Sequence, residues 1–490
     1  MRIRALALAS LILLSGCSPT ADAGLAEIDS LEEVMSQEIS WTPCEGSFEC
    51  AEIAAPLDWL NPEKDFITLA LMRDSNSKDK PAIFVNPGGP GVSAVKWMRE
   101  GYDSIGSAEL RKDFQLIAFD PRGVGESTSV NCSSVELKDE VYYGQSPYEF
   151  GSDADIEYSK KVLSDFALSC QETGFDVGFF NTQQAARDLE LMRVLLGSEK
   201  LDYLGFSYGT LLGTTYAALF PDKVGNLVLD GAMDPQLSES EMLLNQVVGF
   251  DSAFRAYLAD CIGTSECPFK GSVDSALSVV ADFLKQIETT PLETQVDRKL
   301  TLQSALAGIF AALYSQESWI YLSQAFQEAL TGDGTTMLLL ADYYNDRDVA
   351  DGYLSNLNEA NLAISCADSR ITAAEAQSLN DEFLEASSVF GKYFAYPNLA
   401  CEAWPEGKSM VDLDYQIDLA KGPLVVGTTG DPATPYQQAV ALSELLDGAV
   451  LLTYEGEGHT AYGSNVCIDA IVEAYFRGED IGTGNKTCAG

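Results

Sequence analysis

Short apolar runs alternate with amphipathic stretches from about residue 80, and this alternation predicts an α/β fold. The runs typical of buried strands are AIFVN (82–86), FQLIAFD (114–120), LDYLGF (201–206), VGNLVLDGA (224–232), GPLVVGTTGD (422–431) and AVLLTYEG (449–456). Between two of them, residues 182–197 carry apolar side chains at helical spacing and end at a glycine. Strands separated by helices usually pair in parallel, so we expect a mostly parallel sheet flanked by helices.

The strand–helix alternation stops between Asp234 and about Pro405, where the sequence reads as successive helices. A helical block inserted between two strands of one sheet is most simply a cap over the carboxyl edge of that sheet. We therefore predict one catalytic core split in sequence, with parts at residues 41–235 and 406–490, and a helical cap at 236–405. A smaller insertion at about 130–178 carries two cysteines and is expected to pack beside the cap.

The amino-terminal residues predict export and lipid attachment. MRIR is a short basic start, Ala5–Leu14 is apolar, and LSGC follows at 14–17, which resembles a bacterial lipobox. The apolar run is too short to span a bilayer. We expect residues 1–16 to be a lipoprotein signal peptide, Cys17 to be lipidated, and 17–40 to tether the protein outside the cell membrane; ordinary signal cleavage with Cys17 as a bystander is the alternative.

Cysteine usage agrees with an oxidising compartment. The chain has 11 cysteines, so ten remain if Cys17 carries lipid, an even number suited to disulfides. Closeness in sequence favours the pairs Cys44–Cys50, Cys132–Cys170, Cys261–Cys267, Cys366–Cys401 and Cys467–Cys488. No C-x-x-C is present and there is one histidine, so we expect no metal site and no cofactor.

The charge balance narrows the possible partners. With 74 acidic and 30 basic residues the formal net charge is −44. This charge argues against binding to nucleic acid and against direct peripheral binding to anionic lipid, because like charges repel. Membrane contact is thus expected only through the lipid anchor. The acidic surface either serves solubility or attracts cationic substrates.

The motif GFSYG at 205–209 matches G-x-S-x-G between a predicted strand and a predicted helix, the context that a nucleophilic serine requires. Small residues at Gly205 and Gly209 allow the sharp turn that would expose Ser207. The alternative is that Ser207 only caps the helix.

A serine nucleophile needs a base, and His459 is the only histidine in the chain. It follows a predicted strand in a glycine-containing loop. Asp431, just past the strand 422–431, is the expected carboxylate partner, and Asp230 is the rival acid. The chain order Ser, Asp, His is that of α/β-hydrolases.

The developing oxyanion needs two N–H donors. One is expected from Tyr208, the residue after the nucleophile, and the second from NPGGPG (86–91), where we favour Gly89 with Gly88 as the neighbouring choice.

Together, NPGGPG, FDPRGVGES, LGFSYGT, TTGDPATP, GEGHT, AISCADS and CEAWP resemble the motifs of exported tripeptidyl aminopeptidases, serine peptidases of the α/β-hydrolase superfamily related to prolyl aminopeptidases. The likeness runs from about Trp41 onward. It implies release of short peptides, often tripeptides, from free amino termini, with Ser207 as nucleophile, Asp431 as orienting acid and His459 as base. The chain has Asn86-Pro87 where the prolyl enzymes usually carry His-Gly.

An aminopeptidase must bind the substrate ammonium group, and Asp368 in AISCADS is our candidate, with a structural role as the alternative. Two other functions remain open at this point. The same triad would serve a carboxylesterase, and a degenerate hydrolase fold would serve a solute-binding lipoprotein.

Overall fold

The central element is a ten-stranded mixed sheet, in a computed structural model that describes residues 30–132, 134–171, 174–394 and 397–490. The strand order is β1-β2-β3-β5-β4-β6-β7-β10-β11-β12. The strands are β1 (Thr42–Pro43), β2 (Phe48–Pro56), β3 (Phe66–Asp74), β4 (Ala82–Asn86), β5 (Gln115–Phe119), β6 (Leu201–Phe206), β7 (Val224–Asp230), β10 (Leu424–Gly430), β11 (Val450–Glu457) and β12 (Lys486–Ala489). A separate hairpin comprises β8 (Arg347–Asp348) and β9 (Gly352–Tyr353).

Seven neighbouring strands, from β5 to β12, pair in parallel, and β1, β2 and β3 form an antiparallel edge. The mostly parallel sheet expected from the sequence is confirmed. The antiparallel edge is an addition to that expectation, because the apolar pattern of residues 48–74 has no intervening helix to mark it as part of the same sheet.

Helices cover both faces of the sheet. Side chains of α2, α3 and α17 bury one face, and side chains of α6, α7 and α16 bury the other. The helices of the core are α1 (Leu31–Ser36), α2 (Ala94–Gly101), α3 (Ala108–Asp113), α4 (Val135–Tyr143), α5 (Asp153–Cys170), α6 (Thr182–Leu195), α7 (Tyr208–Leu219), α16 (Tyr436–Leu445) and α17 (Val466–Phe476). Helices α4 and α5 form the insertion expected at 130–178.

The segment between β7 and β10 is helical, as its sequence predicts. It contains α8 (Glu239–Cys261), α9 (Val273–Ile287), α10 (Leu302–Leu313), α11 (Trp319–Ala329), α12 (Thr335–Tyr344), α13 (Leu357–Asp368), α14 (Ala373–Ser378) and α15 (Asn380–Ala386). Helices α8 to α12 enclose a hydrophobic core of their own, rich in phenylalanine. Helix α13 instead buries Ala360, Ala363 and Ile364 in the core under the sheet. Leu243 and Val247 of α8 form a third, small cluster with Ile371 and Phe383, so the range 236–405 is divided among three hydrophobic clusters.

Part of the predicted tether packs on the sheet. Helix α1 begins at a Ser30 cap, buries Val34 completely, and is followed by Gln37, whose side chain bonds the backbone of Ala54. Residues 30–40 of the predicted tether 17–40 thus pack on the sheet, because one apolar residue and one amide in a polar stretch are enough to dock them. The rest of the tether, the signal peptide and Cys17 lie outside the described residues.

In the described part of the chain, five disulfides join Cys44–Cys50, Cys132–Cys170, Cys261–Cys267, Cys366–Cys401 and Cys467–Cys488. These are the pairs that closeness in sequence favours. Cys366–Cys401 links α13 to the segment that leads back to the sheet, and Cys132–Cys170 closes the insertion around α4 and α5.

Candidate active site

The candidate catalytic side chains meet at the carboxyl edge of the parallel strands. Phe206 at the end of β6 pairs with Asp230 at the end of β7, and Gly430 at the end of β10 pairs with Glu457 at the end of β11. Ser207, Asp431 and His459 follow these strand ends by one or two residues. Parallel register therefore brings together residues that lie up to 252 positions apart in the sequence.

Ser207 occupies the strained turn between β6 and α7. Its φ is +54° and its ψ is −124°, a conformation that L-residues rarely adopt. Its side chain makes no capping hydrogen bond, which removes the interpretation of Ser207 as a mere helix cap. The turn is tight, since a Cβ on Gly205 would lie 2.4 Å from the Gly209 oxygen. The backbone thus holds the hydroxyl out of the helix.

His459 is held by Asp431. The imidazole Nδ1 lies 2.9 Å from both carboxylate oxygens of Asp431, and the carboxylate also accepts the backbone N–H of Ala433 and Thr434. The Thr434 hydroxyl donates to Asp431 at 3.1 Å and lies 3.4 Å from Nδ1. These contacts leave Nε2, the other ring nitrogen, as the free proton acceptor.

Asp230, the rival acid, has a different partner. Its carboxylate accepts the backbone N–H of Ala461 at 3.0 Å and of Tyr462 at 2.8 Å, so it anchors the loop that carries His459. Burial raises the pKa of Asp230 to about 6, although these two hydrogen bonds act in the opposite direction. The structure thus places Asp431, and not Asp230, against the imidazole.

The serine turn and the His459 side chain both lie against the backbone of residues 230–231. The Ser207 N–H donates to the Asp230 carbonyl at 2.8 Å, and a Cβ on the next residue, Gly231, would lie 3.3 Å from His459 Cε1. Gly231 has a φ of +65°, so both the conformation and the space call for glycine. The lack of a side chain here lets the histidine loop approach the serine turn.

The charge environment sets the protonation of His459. Burial alone would lower the pKa of the imidazole, but the charge and hydrogen bond of Asp431, with the charge of Asp230, raise it above its ordinary value of 6.5. The imidazolium form is therefore stabilised, which favours proton uptake from a nucleophile.

The backbone N–H groups of Tyr208 and Gly89, near the serine, have no hydrogen-bond partner among the described residues. The Gly88 N–H is occupied by the Asn86 side chain at 2.9 Å. A Cβ on Gly88 would lie 3.0 Å from Ser207 Cβ and 3.2 Å from the Tyr208 nitrogen, so the two loops touch. This arrangement is consistent with Tyr208 and Gly89 as the two oxyanion donors. Gly88 packs between the two loops and has its own N–H bonded to Asn86.

Helix α10 of the cap reaches the imidazole directly. The Tyr314 carbonyl accepts the His459 N–H at 2.8 Å, and the Tyr314 ring meets the imidazole edge-on at 5.1 Å. The sequence provides no signal for this contact, because it joins residues from separate segments.

Helix α13 contacts the loop that carries Gly89. Asn361 donates to the Pro90 carbonyl at 3.1 Å, and a Cβ on Gly91 would lie 2.5 Å from the Leu357 carbonyl. Sequence reasoning missed Thr434, Tyr314 and Asn361. Only Thr434 had a local signal, as the third residue after Asp431 in an Asp-Pro-Ala-Thr turn.

Asp368, the candidate for binding the substrate amine, lies at the end of α13. Its carboxylate accepts the Thr182 N–H at 2.7 Å and the Thr182 hydroxyl at 2.5 Å, and that hydroxyl is 2.6 Å from the Tyr208 hydroxyl. Burial raises the pKa of Asp368 to about 6 against the effect of these bonds. Asp368 is therefore linked to Tyr208, the residue after the serine, through the Thr182 hydroxyl, and its carboxylate already accepts two hydrogen bonds.

The described residues contain neither a metal-binding cluster nor a membrane-spanning helix. No cluster of three or more His, Cys, Asp or Glu side chains there could hold a metal ion. Likewise, none of the helices described is both long and apolar enough to cross a membrane.

Comparison with known proteins agrees with this geometry. The family model for the alpha/beta hydrolase fold matches residues 81–466. The chain is 32% identical to the serine protease Hip1 of Mycobacterium tuberculosis over 473 residues, which covers 91% of this chain and 90% of that protein. It is 33% identical to carboxylesterase B of the same organism, covering 90% and 88%. It is 28% identical to the tripeptidyl aminopeptidase of Streptomyces coelicolor, covering 92% and 86%.

Proposed function

This chain belongs to the α/β-hydrolase family, and we propose that it is an exported serine aminopeptidase that releases short peptides, tripeptides foremost, from free amino termini. The observation that carries the proposal is the contact of His459 Nδ1 with both Asp431 oxygens at 2.9 Å, beside a serine in a strained turn. An imidazole held in this way is suited to activate a hydroxyl group.

The first half of the reaction acylates the serine. His459 Nε2 takes the proton of Ser207 as its oxygen attacks the scissile carbonyl carbon, and the carbonyl oxygen becomes an oxyanion. The N–H groups of Tyr208 and Gly89 receive that charge, and Asp431 stabilises the imidazolium. Collapse of the intermediate breaks the C–N bond, and the imidazolium gives its proton to the leaving amine.

The second half returns the free enzyme. Water gives a proton to His459 as it attacks the acyl-enzyme carbonyl, and the same two donors hold the second oxyanion. The bond to Ser207 then breaks, the serine oxygen regains its proton from the His459 imidazolium, and the peptide leaves as a carboxylic acid that gives its remaining proton to water. Atoms and charge balance without metal or cofactor.

Recognition of a free amino terminus requires a carboxylate near the acyl side of the site. We assign this role to Asp368, which is linked to Tyr208 through the Thr182 hydroxyl. The relative named tripeptidyl aminopeptidase supports the amino-terminal specificity. If Asp368 binds the ammonium, Asp368→Asn raises KM for free peptides and leaves the rate of a small ester unchanged; equal effects on both substrates indicate a structural role.

The test of the activity is cleavage of a peptide library by the purified protein, with products identified by mass spectrometry. Each peptide is offered with a free and with an acetylated amino terminus, and Ser207→Ala serves as the control for contaminating peptidases. We expect products three residues long from free peptides and none from acetylated ones. Cleavage that is insensitive to Ser207→Ala would refute the proposal, including the use of this serine.

A carboxylesterase is the second candidate, because a relative with 33% identity bears that name and the same triad acts on esters. The library experiment separates the two. Turnover of short acyl esters without cleavage of any free peptide would favour the esterase.

We also propose that Cys17 carries lipid, with fatty acyl chains such as palmitate, and anchors the protein outside the bacterial cell membrane. The five disulfides support an oxidising compartment. Growth with an alkyne-labelled fatty acid should label the wild-type protein and leave Cys17→Ser unlabelled. Label that persists in Cys17→Ser would show that Cys17 is not the lipidated residue and would refute this proposal.

A further inference from the structure

A cavity of about 330 Å³ lies between the insertion helices α4 and α5 and the cap. Its wall contains five aromatic residues: Tyr142, Tyr148, Phe150, Tyr158 and Tyr393. We call it the tyrosine cavity. Its size is that of a pocket for a small ligand or a side chain.

The tyrosine cavity is separate from the triad. It is lined by Leu302 at the first turn of α10, whereas Tyr314, just after the last turn, contacts His459. A helix rises 1.5 Å per residue, so Leu302 and Tyr314 lie about 18 Å apart along α10. A fully extended tripeptide spans about 10 Å. A tripeptide held at Ser207 therefore does not reach the cavity.

The charged side chains on the described wall of the cavity are all carboxylates. Glu140, Asp155 and Glu288 line it, and no lysine, arginine or histidine is among the described lining residues. Glu140 accepts the Tyr158 hydroxyl and Asp155 accepts the Gly151 N–H, but neither has an ion pair in the described parts of the chain. The cavity therefore combines aromatic faces with two carboxylates, those of Glu140 and Asp155, that no cation in the described parts of the chain neutralises.

Gln145 adds a further acceptor to the cavity wall. Its Nε2 donates to the Glu288 carbonyl at 2.6 Å, while its Oε1 is buried and has no donor among the described residues. A ligand rich in N–H donors would suit such a wall better than an anion or an alcohol.

Beside the cavity, the chain already contains an ammonium group that contacts both a carboxylate and aromatic rings. The Lys392 ammonium bonds Glu288 and lies 4.7 Å from the Tyr393 ring centroid and 5.7 Å from that of Phe150. Aromatic faces and a carboxylate together stabilise an ammonium group. Another part of the wall offers the same kinds of groups: the ring centroids of Tyr148 and Tyr158 lie 6.1 Å apart, and Glu140 accepts the Tyr158 hydroxyl, with no lysine among the described lining residues.

We propose that the tyrosine cavity binds a cation on a carbon stem, an ammonium or guanidinium group such as that of a lysine or arginine side chain, at a site distinct from the catalytic triad. The rings enclose the stem and cation, and Glu140 pairs with the charge. The proposal does not depend on the catalytic activity, since it concerns binding alone.

The test is calorimetric binding with purified Ser207→Ala protein, which excludes turnover. The probes are Nα-acetyl-lysine methylamide, its arginine counterpart, pentylamine, and the neutral norleucine counterpart. We expect saturable binding of the cationic probes at millimolar concentration and none of norleucine. Tighter binding of the amino-acid probes than of pentylamine would identify a peptide side chain as the ligand, and equal binding would identify a free amine.

Three variants locate the site. Glu140→Gln and Tyr148→Ala, both at exposed positions on the cavity wall, should each weaken binding of the lysine probe about tenfold or more, as expected for losing a charge-assisted or aromatic contact. Glu136→Gln is the matched control, because it removes the same charge from the same helix one turn earlier and does not line the cavity.

Binding of norleucine as tight as lysine would overturn the proposal. So would equal weakening by Glu136→Gln and Glu140→Gln, because that result indicates general attraction to the acidic surface. Absence of saturable binding of every cationic probe at millimolar concentration would overturn it as well.

Discussion

His459 is nearly buried, with 10% of its side chain exposed, yet it carries a raised pKa because a fully buried carboxylate lies against it. Burial lowers the pKa of the imidazole and the Asp431 carboxylate raises it. Both effects would be small in water, but in this desolvated site the attraction to Asp431 exceeds the cost of burying the imidazolium. The balance between these effects determines the pH at which the base becomes available.

We predict that kcat/KM falls on the acid side with an apparent pKa above 6.5, the ordinary value of histidine. A raised pKa keeps the imidazole protonated to higher pH, and only the neutral form accepts the serine proton. Activity is thus gained as pH rises through the raised pKa. The measurement is a pH profile of kcat/KM on a tripeptide anilide with a free amino terminus. An acid limb centred below pH 6 would contradict this electrostatic balance.

Ser207 and His459 should act as one unit. Ser207→Ala and His459→Ala are each expected to lower kcat by about 10⁶, and the double variant should cost little more, since either change alone removes nucleophilic catalysis. Single-turnover and steady-state rates on the same anilide measure this. Losses that multiply in the double variant would indicate that the two residues work independently.

Asp431→Asn should lower kcat by about 10⁴, because an amide neither fixes the Nδ1–H tautomer nor stabilises the imidazolium. Asp230→Asn should mainly lower stability, by about 1–3 kcal/mol, since it leaves a backbone N–H of the histidine loop without its acceptor. Rate assays and urea unfolding of both variants separate the roles. Near-normal rates for Asp431→Asn, with a large loss for Asp230→Asn, would reverse the assignment.

At the scale of elements, α13 connects several parts of the site. Its first turns contact the oxyanion loop through Leu357 and Asn361, and its last residue, Asp368, bonds Thr182 at the start of α6. The Cys366–Cys401 disulfide and the buried Lys138–Glu359 ion pair hold the helix in place. Motion of the cap during substrate entry is therefore expected in α8 to α12 rather than in α13.

Asn361→Ala should lower kcat about tenfold with little change in KM. The side chain holds the Pro90 carbonyl and thereby orients the neighbouring Gly89 N–H, an effect smaller than the 10²–10³ expected from losing a donor. Steady-state kinetics on the tripeptide anilide measure kcat and KM separately. Asn358→Ala is the control, because this residue lies on the same helix and bonds the Asn345 carbonyl instead. A rise in KM alone would assign Asn361 to substrate binding.

At the scale of the whole molecule, charge is the dominant feature. A net charge of −44 on 490 residues means that like charges repel across much of the surface. Ion pairs such as the buried Arg122–Asp188 do not change this excess, because each joins one basic and one acidic side chain.

Added salt should stabilise the fold. Raising ionic strength from 0.1 M to 1 M shortens the screening length from about 10 Å to about 3 Å, which reduces repulsion in the compact state more than in the unfolded chain. We expect Tm to rise by several degrees in sodium chloride and in potassium chloride alike, measured by calorimetry. A fall in Tm over this range would mean that attractive pairs outweigh the repulsion.

Much of this architecture follows from local sequence. Buried runs such as 82–86 and 201–206 became β4 and β6 with those same bounds, because an apolar run between turn-forming residues has few other ways to leave water. Local spacing also favoured the observed cysteine pairs, since short loops close at low entropic cost. The positions of Ser207 and His459 after strand ends were visible from the same runs.

Only the tertiary structure decided which groups touch. It placed Asp431 rather than Asp230 on the imidazole and docked residues 30–40 on the sheet. It also gave the Gly88 N–H an acceptor and left that of Gly89 without one among the described residues. These outcomes depend on strand register and on packing between segments hundreds of residues apart. Hydrophobic pattern and turn chemistry act over a few residues, so sequence by itself determined the elements and their chemistry, and packing determined their partners.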